Sequence, residues 1–187
     1  MNELLWYVSR ATGVASIVLL TLVVCLGAVV ASRRPPRATR AAVVMGLHRS
    51  LSLGLLAFLL THVATAVAET FVSIDLISAL VPFTSGYERV WVGLGTIAVD
   101  LVVAVVVTSV WRHRLPEPLW RAVHWLSLLL WPLAVVHGLL LGTADELGLR
   151  HATVACGVAG LLTLAWRAAS ADPHAEHRER IADGEWR

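Results

Sequence analysis

Four histidines stand in two long apolar segments, His48 and His62 in one and His124 and His137 in the other. The first pair is 14 residues apart and the second 13, which at ~1.5 Å rise per residue is roughly 20 Å along a helix. Each segment therefore offers one imidazole near either face of a ~30 Å hydrocarbon layer. Neutral imidazole ligates metals readily and serves as an axial ligand to haem iron. Two such helices side by side would form two stacked bis-histidine sites, the geometry that holds two haems and passes electrons across a membrane.

The elements that must position these rings are membrane spans. Of 187 residues, 57% are hydrophobic and 15% charged, which excludes a soluble domain. Five apolar segments are long enough to cross: Ala11 to Ala31, Ala42 to Ala68, Val90 to Trp111, Ala122 to Leu141 and His151 to Trp166, the last a short one. In lipid the backbone must satisfy its own hydrogen bonds, so the expected fold is all-α, a bundle of five transmembrane helices in a cell (plasma or inner) membrane. The N-terminus has no basic region ahead of its apolar run and reads as a retained helix, not a signal peptide. All 15 basic residues are arginine. Arg33, Arg34, Arg37 and Arg40 crowd the first loop, and Arg112, Arg114 and Arg121 lie in or just beyond the third. The second and fourth loops carry Glu69, Asp75, Glu88, Asp145 and Glu146. The positive-inside rule then places the N-terminus outside and the C-terminus in the cytoplasm. The expected organisation is a short outer N-terminus (1–10), a membrane domain (11–167) and a polar cytoplasmic tail (168–187). Cys25 and Cys156 lie in apolar segments and form neither a metal motif nor an expected disulfide. Nothing points to nucleic acid.

With this topology the second and fourth spans run in the same direction. His48 then shares the cytoplasmic level with His124, and His62 the outer level with His137. Helical phase favours one pair over the other. Fourteen residues return to within about 40° of the starting face, whereas thirteen land about 140° away. Pro132, between His124 and His137, can kink the helix and change that phase. Ordinary buried histidines are the alternative, but four at matched depths are unusual, since ionisable groups in spans are rare and mostly functional.

Other residues carry two readings each. Arg49, next to His48, and Arg10, at the outer end of the first span, could contact haem propionates or be interfacial charges. Asp100, in IAVDLVV, could support a ligand histidine, lie on a proton path, or be a neutral acid bonded to a neighbouring backbone. Trp131 could pack between two haems or simply fill the core. Gly46, Gly54 and Gly138 could admit a macrocycle or close helix packing.

The stretches LWYVSRATG, LHRSLSL and AVHWLSLLLWPLAVVHG, with the paired histidine spacings, resemble the ferric reductase-like transmembrane domain, over about Leu5 to Trp166. That family includes NADPH oxidase membrane domains and the haem subunit of the methionine sulfoxide reductase system. The resemblance implies two haems b, with His48, His62, His124 and His137 as axial ligands. The chain departs from the flavoenzyme members: it has no glycine-rich dinucleotide fingerprint and no room for a βαβ unit after the last span. It is similar instead to haem-only members, which take electrons from a separate flavoprotein reductase or a quinol. The expected function is transmembrane electron transfer to an outside acceptor, which could be ferric iron, oxygen or a redox protein. No catalytic residue is expected, only an oxidoreductase component. The alternatives are a non-catalytic haem-containing anchor subunit, a haem-free proton-coupled transporter, or a protein with one haem.

Overall fold

The computed structural model describes residues 2–31, 38–70, 72, 74–142 and 147–169. The expected tail, 168–187, lies outside them except for Ala168 and Ala169. Among the described residues the chain is helical with no strand. The helices are α1 (Asn2–Val30), α2 (Ala38–Ala68), α3 (Leu76–Leu80), α4 (Arg89–Val110), α5 (Glu117–Trp125), α6 (Ser127–Leu141) and α7 (Leu147–Ala169), with a 3₁₀ turn at Arg112–Arg114. Five spans result, formed by α1, α2, α4, α5 with α6, and α7. The protein is a multi-pass membrane protein.

The spans differ from their expected bounds, the first, fourth and fifth most of all. Helix α1 begins at Asn2 rather than Ala11, because no proline or glycine precedes Gly13 and Glu3 complements the helix dipole in the first turn. Helix α7 runs from Leu147 to Ala169, which removes the apparent shortness of the fifth span. The fourth span starts at Glu117, where Pro116 caps the helix and Pro118 occupies its first turn. It then breaks at Leu126. There the Leu126 amide bonds Val123 O and the Leu129 amide bonds Leu126 O, both i→i+3 contacts of 3.0 Å. Such 3₁₀ steps turn about 120° per residue instead of about 100°. The phase change that the 13-residue spacing needs therefore begins ahead of Pro132, which lies inside α6.

The core lies where α1, α4, α6 and α7 meet, around Ile17, Leu20, Val24, Ala98, Val102, Leu130, Trp131, Val135 and Cys156. Trp131 is only 3% exposed. Its Nε1–H donates to Thr21 Oγ1 at 3.0 Å, and its ring lies so close to Gly160 that a Cβ there would sit 2.1 Å from it. Arg167 of α7 donates to Ala31 O at 2.8 Å, closing carbonyls at the end of α1. Helix α2 stands apart, packed chiefly on α1 and open over most of its remaining surface.

The segment between α2 and α4 folds over α4. Asp75 caps α3 by accepting from Ser78 N at 2.8 Å, and the Ser78 carbonyl accepts from Thr96 Oγ1 at 2.7 Å. Phe71, within that segment, lies outside the described residues.

Candidate bis-histidine metal centres

The two histidines of α2 face the two of α5 and α6. Ring centroids are 6.4 Å apart for His48 and His124 and 6.3 Å apart for His62 and His137. A metal–imidazole bond is about 2.0–2.1 Å and each ring adds about 1.1 Å, so one metal atom between two imidazoles sets the centroids about 6.3 Å apart. Both levels have the separation for a single bridged ion.

Three of the rings are held by one repeated device. His62 Nδ1 donates to Ser9 O at 2.7 Å, His48 Nδ1 to Val23 O at 3.0 Å and His137 Nδ1 to Trp91 O at 2.8 Å. Each acceptor is a helix carbonyl already used by the ladder, offering its second lone pair. Four residues beyond each acceptor stands a glycine: Gly13, Gly27 and Gly95. The Cα–Cβ bond of a helical residue tilts toward the preceding turn, so a side chain at i+4 would cover the carbonyl of i. Without one, the imidazole reaches the carbonyl. A Cβ at Gly95 would lie 2.4 Å from His137, at Gly13 2.9 Å from His62, and at Gly27 3.5 Å from His48. Donation from Nδ1 fixes the tautomer, leaving each Nε2 lone pair for a metal.

The fourth ring differs. His124 Nδ1 is buried and has no hydrogen-bond partner among the described residues. Its ring stacks on Trp120, centroids 5.2 Å apart at 26°, and the Arg112 guanidinium covers the Trp120 ring at 4.2 Å.

The His62–His137 level opens into a cavity with walls from α1, α2, α4 and α6, lined also by Arg10, Arg150 and the buried Glu69. Arg10 also donates to Leu141 O at 2.9 Å and lies 4.4 Å above the Trp6 ring.

The donor count fits haem better than a bare ion. A structural divalent site takes four protein ligands, and among the described residues no group of three or more His, Cys, Asp or Glu is placed to hold a metal. Two imidazoles per level suffice only if a macrocycle supplies the remaining ligands. The glycine cradles, and the cavity at the His62–His137 level, fit that group.

Other expected site residues lie elsewhere. Arg49 is exposed beside His48. Asp100 is exposed on the far side of α4, outside the cavity lining, and the Nδ1 atoms of His48, His62 and His137 bond carbonyls rather than its carboxyl. Trp131 belongs to the core described above. A Cβ on Gly138 would meet Ile17 at 2.5 Å, whereas Gly46 has nothing within 4 Å. The glycines that touch histidines are thus ones the sequence reading passed over. Their signal was available, since Gly13 and Gly27 repeat the 14-residue histidine spacing on the neighbouring span.

The structure is thus a five-span helical bundle with two facing histidine pairs. The chain matches the ferric reductase like transmembrane component family over residues 12–135, and it belongs to that family. The matched stretch holds His48, His62 and His124 and ends just short of His137. No curated protein and no solved structure matches the chain.

Proposed function

We propose that the chain is a di-haem b electron-transfer protein, carrying electrons from a cytoplasmic flavoprotein reductase or a quinol to an acceptor on the far side of the membrane. The observation that carries this reading is the pair of imidazole separations, 6.4 and 6.3 Å, at two depths of one bundle. Haem b, when bound, supplies reversible one-electron chemistry.

The chain's own residues do the rest. His48 with His124 would hold one haem and His62 with His137 the other, the two levels separated by about 21 Å of helix rise along α2. The carbonyls of Val23, Ser9 and Trp91 orient three imidazoles and raise their basicity, which favours the oxidised metal. Arg10 and Arg150 supply positive charge in the lining of the His62–His137 cavity, where propionates would need it. Arg49 follows His48 in sequence and is exposed on α2. Two axial ligands per level favour outer-sphere electron transfer. The arginine-rich loops put the His48–His124 level toward the cytoplasm. Ferric iron, oxygen or a redox protein is the acceptor class on the other side.

The test is a reduced-minus-oxidised optical spectrum of the purified protein, with a haem-to-protein ratio. A b-type spectrum with about two haems per chain is expected. Haem-free protein from cells with ample haem supply would overturn the reading. Loss of the His48–His124 haem in His62→Ala, with the other retained, would overturn the pairing.

A further inference from the structure

Asp100 has no part in the redox reading. It lies eleven residues after Arg89, the first residue of α4, and ten before Val110, the last. At ~1.5 Å per residue both ends are about 15–16 Å away, which puts it near the middle of a ~30 Å hydrocarbon layer. Ala98 and Val102, two positions to either side, are buried in the core. Two residues turn a helix by about 200°, so Asp100 faces away from the bundle, and it is exposed. Among the described residues it has no hydrogen-bond or ion-pair partner. Ionisable groups at this depth almost always face a bundle interior or a wet cavity. The single chain supplies neither.

Part of this outer face of α4 is covered by the chain itself. Gly93 lies under the Phe83 ring, and Thr96 donates to Ser78 O. The cover ends there. Asp100 is next on the face, and Val103 and Val107 continue it, all three exposed, with Ala104 beside them. Helix α4 packs on α3, α5 and α6 and leaves this strip bare.

The acid sets what fits the strip. A carboxyl in hydrocarbon is least costly without its charge, and protonated it offers one O–H donor and an acceptor oxygen. A second such carboxyl matches it with two O–H···O bonds and no net charge. A cationic partner would require two ions to be stripped of water instead. Copies of one membrane chain in the same orientation carry Asp100 at the same depth. A two-fold axis along the membrane normal therefore brings the two acids together with no further condition. We propose that the strip of Asp100, Val103, Ala104 and Val107 is the contact of a homodimer, closed at mid-membrane by a pair of hydrogen-bonded Asp100 carboxyls. Ala104 and the short valines let the two helices approach closely. The contact is turned about 140° from Gly95, the residue against His137, so it does not depend on haem.

The experiment uses the full chain in the membranes of the expressing cell. Val107→Cys, on the strip, should form a disulfide-linked dimer on oxidation with copper phenanthroline. Leu161→Cys, exposed on α7, should not. The wild type, with Cys25 and Cys156, sets the background. Energy transfer between labelled copies, followed as lipid is added, then measures the strength of the dimer. An interhelical hydrogen bond in a membrane is worth about threefold on average and up to about 20-fold, so losing two in Asp100→Ala should weaken the dimer about tenfold or more. Asp100→Asn, whose amide is also both donor and acceptor, should keep it. A chain that stays monomeric at high protein-to-lipid ratio, or a dimer unmoved by Asp100→Ala, overturns the proposal. So does equal loss in Asp100→Asn, equal linkage through Leu161→Cys, or linkage of Val107→Cys to a different polypeptide.

Discussion

Replacing Gly95 by alanine should empty the His62–His137 level while leaving the other intact. The new Cβ would lie 2.4 Å from His137 Cε1 and 2.5 Å from Nδ1, whereas ordinary contact begins near 3.4 Å. The ring must therefore retreat by about 1 Å, while metal–ligand distances tolerate only about 0.2 Å. It cannot clear the methyl group, keep its bond to Trp91 O and ligate a centred metal at once. In haem-free protein the ring can turn aside at little cost, so the penalty falls on ligation rather than on folding. Loss of the carbonyl anchor alone predicts about 10–100-fold weaker haem binding at that level. The assay is haem content per chain during dialysis against a haem-binding apoprotein, with helix content followed by circular dichroism. Gly95→Ala should drop from two haems toward one at unchanged helicity. Gly13→Ala, whose Cβ meets His62 at 2.9 Å, should weaken binding less, and Gly27→Ala, at 3.5 Å from His48, should be near wild type. If Gly27→Ala lost as much haem as Gly95→Ala, or if all three retained two, the cradle reasoning would be refuted.

Three further outcomes are expected. Thr21→Val strands the buried Trp131 N–H and should destabilise the bundle by about 1–3 kcal/mol in a denaturation series, with the visible spectrum unchanged because the ring lies in the core; a spectral change would place Trp131 in the redox site. Arg10→Leu removes a cation from the lining of the His62–His137 cavity, so in a redox titration one haem should become harder to reduce and the other stay fixed; equal movement of both would refute this placement. The Ser78 hydroxyl, and then its amide, hold the Asp75 carboxyl below the ordinary carboxylate range. Its contribution is full above the unfolded value and is lost as pH falls through the depressed one, so Ser78 amide protection should persist through mildly acidic pH and fail only below the usual carboxylate range. Asp75→Ala should abolish that pH dependence.

The five spans, and which histidines face each other, were legible because both rest on strong, local signals: long apolar runs, and residues that are costly in lipid unless used. Bounds were less so. Nothing in the first ten residues breaks a helix, so α1 continues through a stretch that polarity alone assigned to a terminus. The thirteen-residue spacing looked unfavourable because an ideal helix was assumed. The i→i+3 bonds at Leu126 depart from that ideal at a leucine no breaker rule would mark. Trp131 carried two readings, and the bond to Thr21 holds it in the core.

What holds the histidines was harder to read, because it is a relation between spans. A glycine in a membrane helix is common and is normally assigned to helix packing. Here its value depends on the carbonyl four residues earlier and on a histidine from another helix. Spacing is the property that survives this translation into three dimensions. Antiparallel neighbours at matched depth must repeat the same interval, and α1 does so: Gly13 to Gly27 mirrors His62 to His48. Helix α4 carries one such glycine, Gly95, where the same relation serves His137 from a third span.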